Sequence, residues 1–224
     1  MFYEEWIGKL PLSELERVSL MFDIGELHRK RYGRMKRVVD VSFALIGTVA
    51  LIIAVPFVFL IDFIANRGPL FYRQARVGKS GVVFSILKFR TMRPSEDGDE
   101  AGAWTAENDE RITPVGRLLR ISHLDELPQA LNILRGEMSI VGPRPEQPRY
   151  VDALASKLPF YGLRHLVRPG LTGWAQVKYH YAADDFDATE KLQYEFYYLR
   201  HQSLMFDVRI IGRTIRSVLG RGGR

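Results

Sequence analysis

Cysteine is absent from the 224 residues, which excludes disulfides, thiolate zinc sites and a cysteine nucleophile. The absence suits a chain facing a reducing compartment. Histidine is scarce too, with five residues scattered too widely for an imidazole zinc site. There is no internal repeat or low-complexity tract. With 46% hydrophobic residues the chain is too apolar for disorder and long enough to bury a core. Charge leans positive, 32 Lys and Arg against 26 Asp and Glu, a net +6. That balance suits a polyanion, an anionic lipid surface or a phosphorylated substrate without choosing among them.

Charge disappears altogether between residues 43 and 61, FALIGTVALIIAVPFVFLI. The run is too long and too far from the N-terminus for a signal peptide, and it reaches the length of a membrane span. Pro56 lies inside it, removing one helical hydrogen bond and biasing Val55 away from the α region. Both flanks are basic, with Arg29, Lys30, Arg31, Arg34, Lys36 and Arg37 before it and Arg67, Arg73, Arg76 and Lys79 after it. Basic flanks stay on the cytoplasmic side, so a straight span violates one of them. A helix broken at Pro56 that enters and leaves by the same face satisfies both. The expectation is therefore a re-entrant hairpin, with a straight span or a buried core helix as alternatives.

Three regions follow. Residues 1–33 read as an N-terminal helical extension, with Ser13 to Glu16 as a capping box. Residues 34–66 contain the hairpin, and 67–224 form a domain of soluble character. Within it, VVFSILKFRTM is strand-like, while residues 94–110 form a loop carrying seven carboxylates and no cation. Such a loop reads as a solvated connection, or more sharply as a lid. Near the C-terminus, Leu204, Phe206, Val208, Ile211, Ile215 and Leu219 alternate with Arg209, Arg213, Arg216 and Arg221, the pattern of a basic amphipathic helix.

The most informative stretch is RISHLDELPQ, 120–129. Leu127, Leu131 and Leu134 recur at helical spacing, and Pro128 is tolerated only in a first turn. That predicts a helix starting near Leu124 or Asp125, with Asp125 and Glu126 at its positive end and their pKa values low. Adjacent helical residues diverge by about 100°, so the pair suits two separate jobs, one a nucleophile toward phosphorus and the other a ligand for Mg²⁺. A plain acidic cap is the bland alternative. Its company argues for chemistry: Lys88 and Arg90 on one face of a strand, Arg120, Arg144 within Gly142-Pro143-Arg144-Pro145, and Arg168 opening a turn-rich segment through Gln176. That segment includes Trp174, an aromatic face for stacking. Guanidinium forks match phosphate oxygens.

Several motifs together carry a family resemblance: KRVVD (36–40), GPLFYRQARVG (68–78), FSILKFRTM (84–92), LDELPQALNILRGEMSIVGPRP (124–145) and RPGLTGWAQV (168–177). In order and spacing, across residues 36 to 220, they resemble the bacterial sugar transferases, the monotopic phosphoglycosyl transferases. The flanking FYEEWIG, Trp104 with NDERIT, and EKLQYEFYYLRHQSL resemble the exosortase-associated subset that initiates polysaccharides. In that subset a membrane-spanning regulatory region precedes the catalytic part, so the chain reads as a short member or, from residues 1–33, an excised module.

The resemblance implies an α+β fold, a mostly helical membrane-associated catalytic domain with a short β element, the re-entrant hairpin and interfacial amphipathic helices. It implies that Asp125 attacks the β-phosphate of a UDP-sugar and releases UMP, that Glu126 binds Mg²⁺, and that undecaprenyl phosphate accepts the sugar phosphate. Arg120 and Arg144 would lie near the transferred phosphate, and Lys88, Arg90, Arg168 and Gln176 in substrate-binding motifs. Location would be the cytoplasmic face of a bacterial inner membrane, with both termini cytoplasmic, against phospholipids and without nucleic acid. The sugar and the oligomeric state, a homodimer included, stay open. A membrane-anchored scaffold, or a basic module binding lipid or nucleic acid, is the rival reading.

Overall fold

The computed structural model describes residues 8–10, 26–65, 68–93, 109–179 and 185–220. The chain is α+β, with two small two-stranded sheets among helices. Helix α1 (Glu26–Ala65) leads into an antiparallel hairpin of β1 (Phe71–Val77) and β2 (Val83–Phe89). Then come α2 (Pro114–Ile121), a 3₁₀ turn (Leu124–Glu126), α3 (Gln129–Arg135) and β3 (Ser139–Val141). Helix α4 (Pro148–Lys157), a 3₁₀ stretch (Tyr161–Leu166), β4 (Gly170–Thr172), α5 (Trp174–Lys178), α6 (Asp185–Arg200) and α7 (Leu204–Gly220) complete the order. Strand β4 pairs parallel to β3. The capping box at Ser13 to Glu16 and nearly all of the acidic loop lie outside the described residues. At that loop's described end, Asp109 is chelated by Arg111, its own neighbour but one.

Helix α1 is the one described helix long and apolar enough to cross a membrane, by length and composition. It begins at Glu26, ahead of the boundary read at residue 34, and runs without a break through Pro56. The chain therefore stays helical across the proline, with no non-helical gap dividing it into two arms. A proline costs one i−4 hydrogen bond, and tertiary packing on both sides of it compensates here. One stripe supplies that packing. Ala44, Leu51, Val55 and Val58 recur at helical intervals and bury against Phe84 and Ile86, then against Phe89 and Leu119.

Charged residues pin both ends of this stripe. Lys36 meets Asp207 of α7 at 2.8 Å. Arg37 donates to the carbonyls of Ile133 and Leu134 at the end of α3, at 2.6 and 2.8 Å, where a cation suits the helix dipole. Buried Asp40 accepts from Ser139 Oγ and the Ile140 N–H, both at 2.9 Å. Past Pro56, Asp62 pairs with Arg90 at 3.2 Å. The opposite face is left bare: Ile46, Ile52, Ile53, Phe57 and Leu60 are all at least 60% exposed. An apolar face of that extent marks a surface built to be covered.

Helix α7 shows the same division. Phe206 and Ile210 are buried, whereas Met205, Val208 and Ile215 stand exposed among Arg209, Arg213 and Arg216. Before α1, residues 8–10 return to the domain. Leu10 is fully buried beside Leu192 and Phe196, and Lys9 pairs with Glu190.

Candidate active site

Three local devices assemble the site. Asn132 on α3, fully buried, reads the backbone of β2: its Oδ1 accepts from the Leu87 N–H at 3.1 Å and its Nδ2 donates to the Ser85 carbonyl at 2.8 Å. That fixes Lys88 against the turn preceding α3. Thr113 caps α2 by accepting from the Gly116 N–H at 2.9 Å. Gly116 packs so tightly on Thr91 that any side chain there would strike the Thr91 carbonyl, and Arg120 Nε donates to Thr91 Oγ1 at 2.9 Å. The third device joins two motifs back to back. A Cβ on Gly142 would collide with the Arg168 carbonyl, and one on Gly170 with the Gly142 backbone. GPRP and RPGLTG are thus adjacent because glycine permits contact of main chain with main chain.

Between these parts lies the Leu124–Glu126 turn. It is entered through His123 at φ 55°, ψ 15°, a left-handed conformation that costs a non-glycine residue energy and recurs at functional sites. Asp125 and Glu126 sit on this 3₁₀ turn, not on the first turn of an α-helix as their spacing suggested. Glu126 Oε1 accepts from Lys88 Nζ at 2.7 Å and lies 3.8 Å from the Arg144 guanidinium. Burial pushes the Glu126 carboxyl up, but Lys88 and then Arg144 outweigh it and hold the pKa down at about 2.

Asp125 differs. No described side chain hydrogen-bonds to its carboxylate. Burial first, and the Glu126 charge second, raise its pKa above the ordinary value, against the opposing pull of Lys88, Arg120 and His123. The sequence expectation of a low pKa for both carboxyls is corrected here. A short 3₁₀ turn supplies little dipole, and the neighbouring carboxylate already claims the nearest ammonium.

Lys88, Arg120 and Arg144 therefore gather around the acidic pair. Other candidates are engaged elsewhere. Arg90 is buried against Asp62 of α1. Arg168 Nε donates to the Gly136 carbonyl at 2.8 Å, closing α3. Gln176 Nε2 approaches the Leu171 carbonyl at 3.5 Å, and its buried Oε1 has no partner among the described residues. Trp174 offers no free face. It is buried, Lys178 and Arg213 lie over its ring, and its Nε1–H donates to the Gly8 carbonyl at 2.9 Å. Sequence reasoning passed over His123, Thr91 and the buried pair Arg164–Glu195 behind Arg144; only His123, two residues from Asp125, left a local signal.

Among the described residues no cluster of three His, Asp or Glu could hold a metal alone. A Mg²⁺ ion does not require one, since it is commonly held by one or two carboxylates plus substrate phosphates. Glu126 fits that role: it is ionised, and Lys88 and Arg144 both face its Oε1, so that among the described residues none is bonded to Oε2. The arrangement is a hard-oxygen ligand and a carboxylate with no hydrogen bond to a described side chain, with Lys88, Arg120 and Arg144 around the pair, suited to a diphosphate.

Comparison with known proteins identifies the family. The profile of the bacterial sugar transferases matches residues 31–221. The chain is similar to a UDP-N-acetylgalactosamine-undecaprenyl-phosphate N-acetylgalactosaminephosphotransferase of Aeromonas hydrophila, 47% identical over 71% of this chain and 38% of the relative. It is also similar to UDP-glucose:undecaprenyl-phosphate glucose-1-phosphate transferases. The one from Caulobacter vibrioides is 39% identical over 87% of this chain and 73% of its own. The one from Escherichia coli is 39% identical over 68% and 33%. The chain thus spans about a third to three quarters of these relatives' lengths. From residue 31 to 221, with the acidic pair and its cations inside the matched span, the chain belongs to the bacterial sugar transferase family.

Proposed function

We propose that the protein is a phosphoglycosyl transferase, moving a sugar 1-phosphate from a UDP-sugar to undecaprenyl phosphate and so initiating a glycoconjugate or exopolysaccharide. The observation that carries the reading is the division of labour in the turn: Asp125 without a hydrogen bond to any described side chain, Glu126 clamped by Lys88 and near Arg144. Asp125 attacks the β-phosphorus, the bond to the bridging oxygen breaks, and UMP leaves. The sugar phosphate stays on the Asp125 carboxylate. An oxygen of the lipid phosphate then attacks the same phosphorus, forming the lipid diphospho-sugar and restoring Asp125. Lys88, Arg120 and Arg144 offset the negative charge that both displacements concentrate there. Glu126 would hold Mg²⁺, which supplies charge neutralisation to the diphosphate.

The bare face of α1 and the apolar-basic face of α7 belong in the membrane. Asp40 and Asp62 bind the same domain on either side of Pro56, which supports entry and exit by one face, the cytoplasmic one. The site then stands where a soluble nucleotide sugar and a lipid phosphate both arrive. Incubation with undecaprenyl phosphate, Mg²⁺ and a panel of UDP-sugars, including UDP-glucose and UDP-N-acetylgalactosamine, tests this by UMP release. Release that depends on one sugar and ceases in EDTA is expected. No release with any donor overturns the reading, and undiminished release after exhaustive chelation removes the metal from Glu126.

A further inference from the structure

The loop that presents Arg144 is tied at consecutive carbonyls. Pro143 O accepts from the Gly170 N–H at 2.8 Å. Arg144 O accepts from Arg164 at 2.9 Å. Pro145 O accepts from Arg76 at 3.0 Å. Glu146 O accepts from the Val77 N–H at 2.9 Å. Chemistry dictates outside help: Pro143 and Pro145 carry no N–H, so the segment cannot build a ladder of its own, yet its carbonyls need donors. Two of the four donors are arginine side chains, and neither arginine is a candidate for substrate.

Arg164 is 5% exposed and fully committed. Its Nε and NH2 meet the two oxygens of Glu195 at 2.9 and 2.7 Å, its NH1 donates to Tyr161 Oη at 2.7 Å, and NH2 also serves the Arg144 carbonyl. Glu195 is 6% exposed. Burying such a pair costs both hydration shells, and well-packed apolar residues often do as well for stability. Stability alone is thus a weak reason for this pair. Geometry is a better one. The Arg144 side chain is 48% exposed and only 3.8 Å from Glu126, a long arm whose reach depends on where its backbone starts. A fixed start lowers the entropy lost when a guanidinium grips a phosphate.

We propose that Arg164, oriented by Glu195 and Tyr161, is a positioning residue that fixes the Arg144 backbone and so aims its guanidinium at the transferred phosphate. The proposal rests on the transferase reading above. Arg76 does the same for the next carbonyl, with its NH2 held by Gln74 Oε1 at 2.6 Å.

A double-mutant cycle on the membrane-reconstituted protein tests it. Arg144→Ala should lower kcat/KM about 10²–10³-fold, the scale of one lost donor to a developing charge. Arg164→Lys keeps the charge but loses the fork, and should lower it about tenfold or more. On the Arg144→Ala background the same change should add less than about twofold, because its effect passes through Arg144. Tyr161→Phe removes one hydrogen bond, leaves the ion pair, and should show the same background dependence at smaller size if Arg164→Lys does not fold. Equal losses on both backgrounds, or wild-type turnover in both variants, overturn the proposal while leaving the transferase reading intact. Should the wild type release no UMP from any donor, that reading fails, and hydrogen exchange decides the clamp instead. Faster exchange in the Gly142–Glu146 segment of Tyr161→Phe, with β1 and β2 unchanged, supports it; unchanged exchange there overturns it.

Discussion

The turn carrying Asp125 and Glu126 and the loop carrying Arg144 meet across one site, yet they are built in opposite ways. The turn is a single 3₁₀ coil entered through a strained His123, and its first carboxylate has no hydrogen-bond partner among the described side chains. The loop is held at its carbonyls by two arginines and two main-chain N–H groups. On the proposed mechanism the difference follows from what each must do. A nucleophile has to exchange partners twice per cycle, so bonds to it would have to be broken. Groups that stabilise developing charge work best when they do not move.

The largest effect that tests this contrast is on the loose side. Asp125→Asn keeps the shape and removes the attacking oxygen anion, so turnover should fall about 10⁴-fold or more, as when other covalent nucleophiles are deleted. Steady-state UMP release measures it, and near-normal turnover would make the pair a joint metal site. On the rigid side, Gly142→Ala drives a methyl into the Arg168 carbonyl with no flexible side chain to yield. The cost should be about 1–3 kcal/mol, with activity falling alongside thermal stability. A stable, active Gly142→Ala would show that the two motifs do not need their close contact.

Smaller effects sharpen the electrostatics. Lys88 is the first cation opposing the raised Asp125 pKa and the first lowering that of Glu126. Lys88→Met should therefore move the acid limb of the kcat/KM profile upward, and an unmoved limb would detach it from both carboxyls. Asp125 itself should be a burden to the fold at neutral pH. Its raised native pKa means that the folded state binds the proton more tightly than the unfolded one. The stability that brings is present at low pH and lost as pH rises through the native value. Asp125→Asn should accordingly raise Tm. A lowered Tm would contradict the account.

Much of this contrast was legible in the sequence, and the rest was hidden for physical reasons. The acidic pair, Lys88, Arg120 and Arg144, which the structure brings together, are legible because two prolines, a helical leucine period and an acidic doublet are local patterns. Arg90 and Arg168 read the same way as those three, since a guanidinium aimed at phosphate and one aimed at a buried aspartate or a carbonyl are identical in one dimension. Arg164 and Glu195 lie 31 residues apart with no shared pattern, so only folding reveals the pair. Asp40 and Asp62 mark the edges of the apolar run, but their partners at Ser139 and Arg90 are tertiary facts. Pro56 suggested a break because propensity counts the lost hydrogen bond and not the stripe of contacts on either side.

The most direct test of the central claim is the mass of the protein after exposure to UDP-sugar and Mg²⁺ without any lipid acceptor. The account predicts up to one UMP released per protein and a phosphosugar adduct on the peptide containing Asp125, absent in Asp125→Asn and discharged when undecaprenyl phosphate is added. UMP that appears only when both substrates are present, with no adduct under rapid acid quench, would mean direct transfer and would contradict Asp125 as the nucleophile.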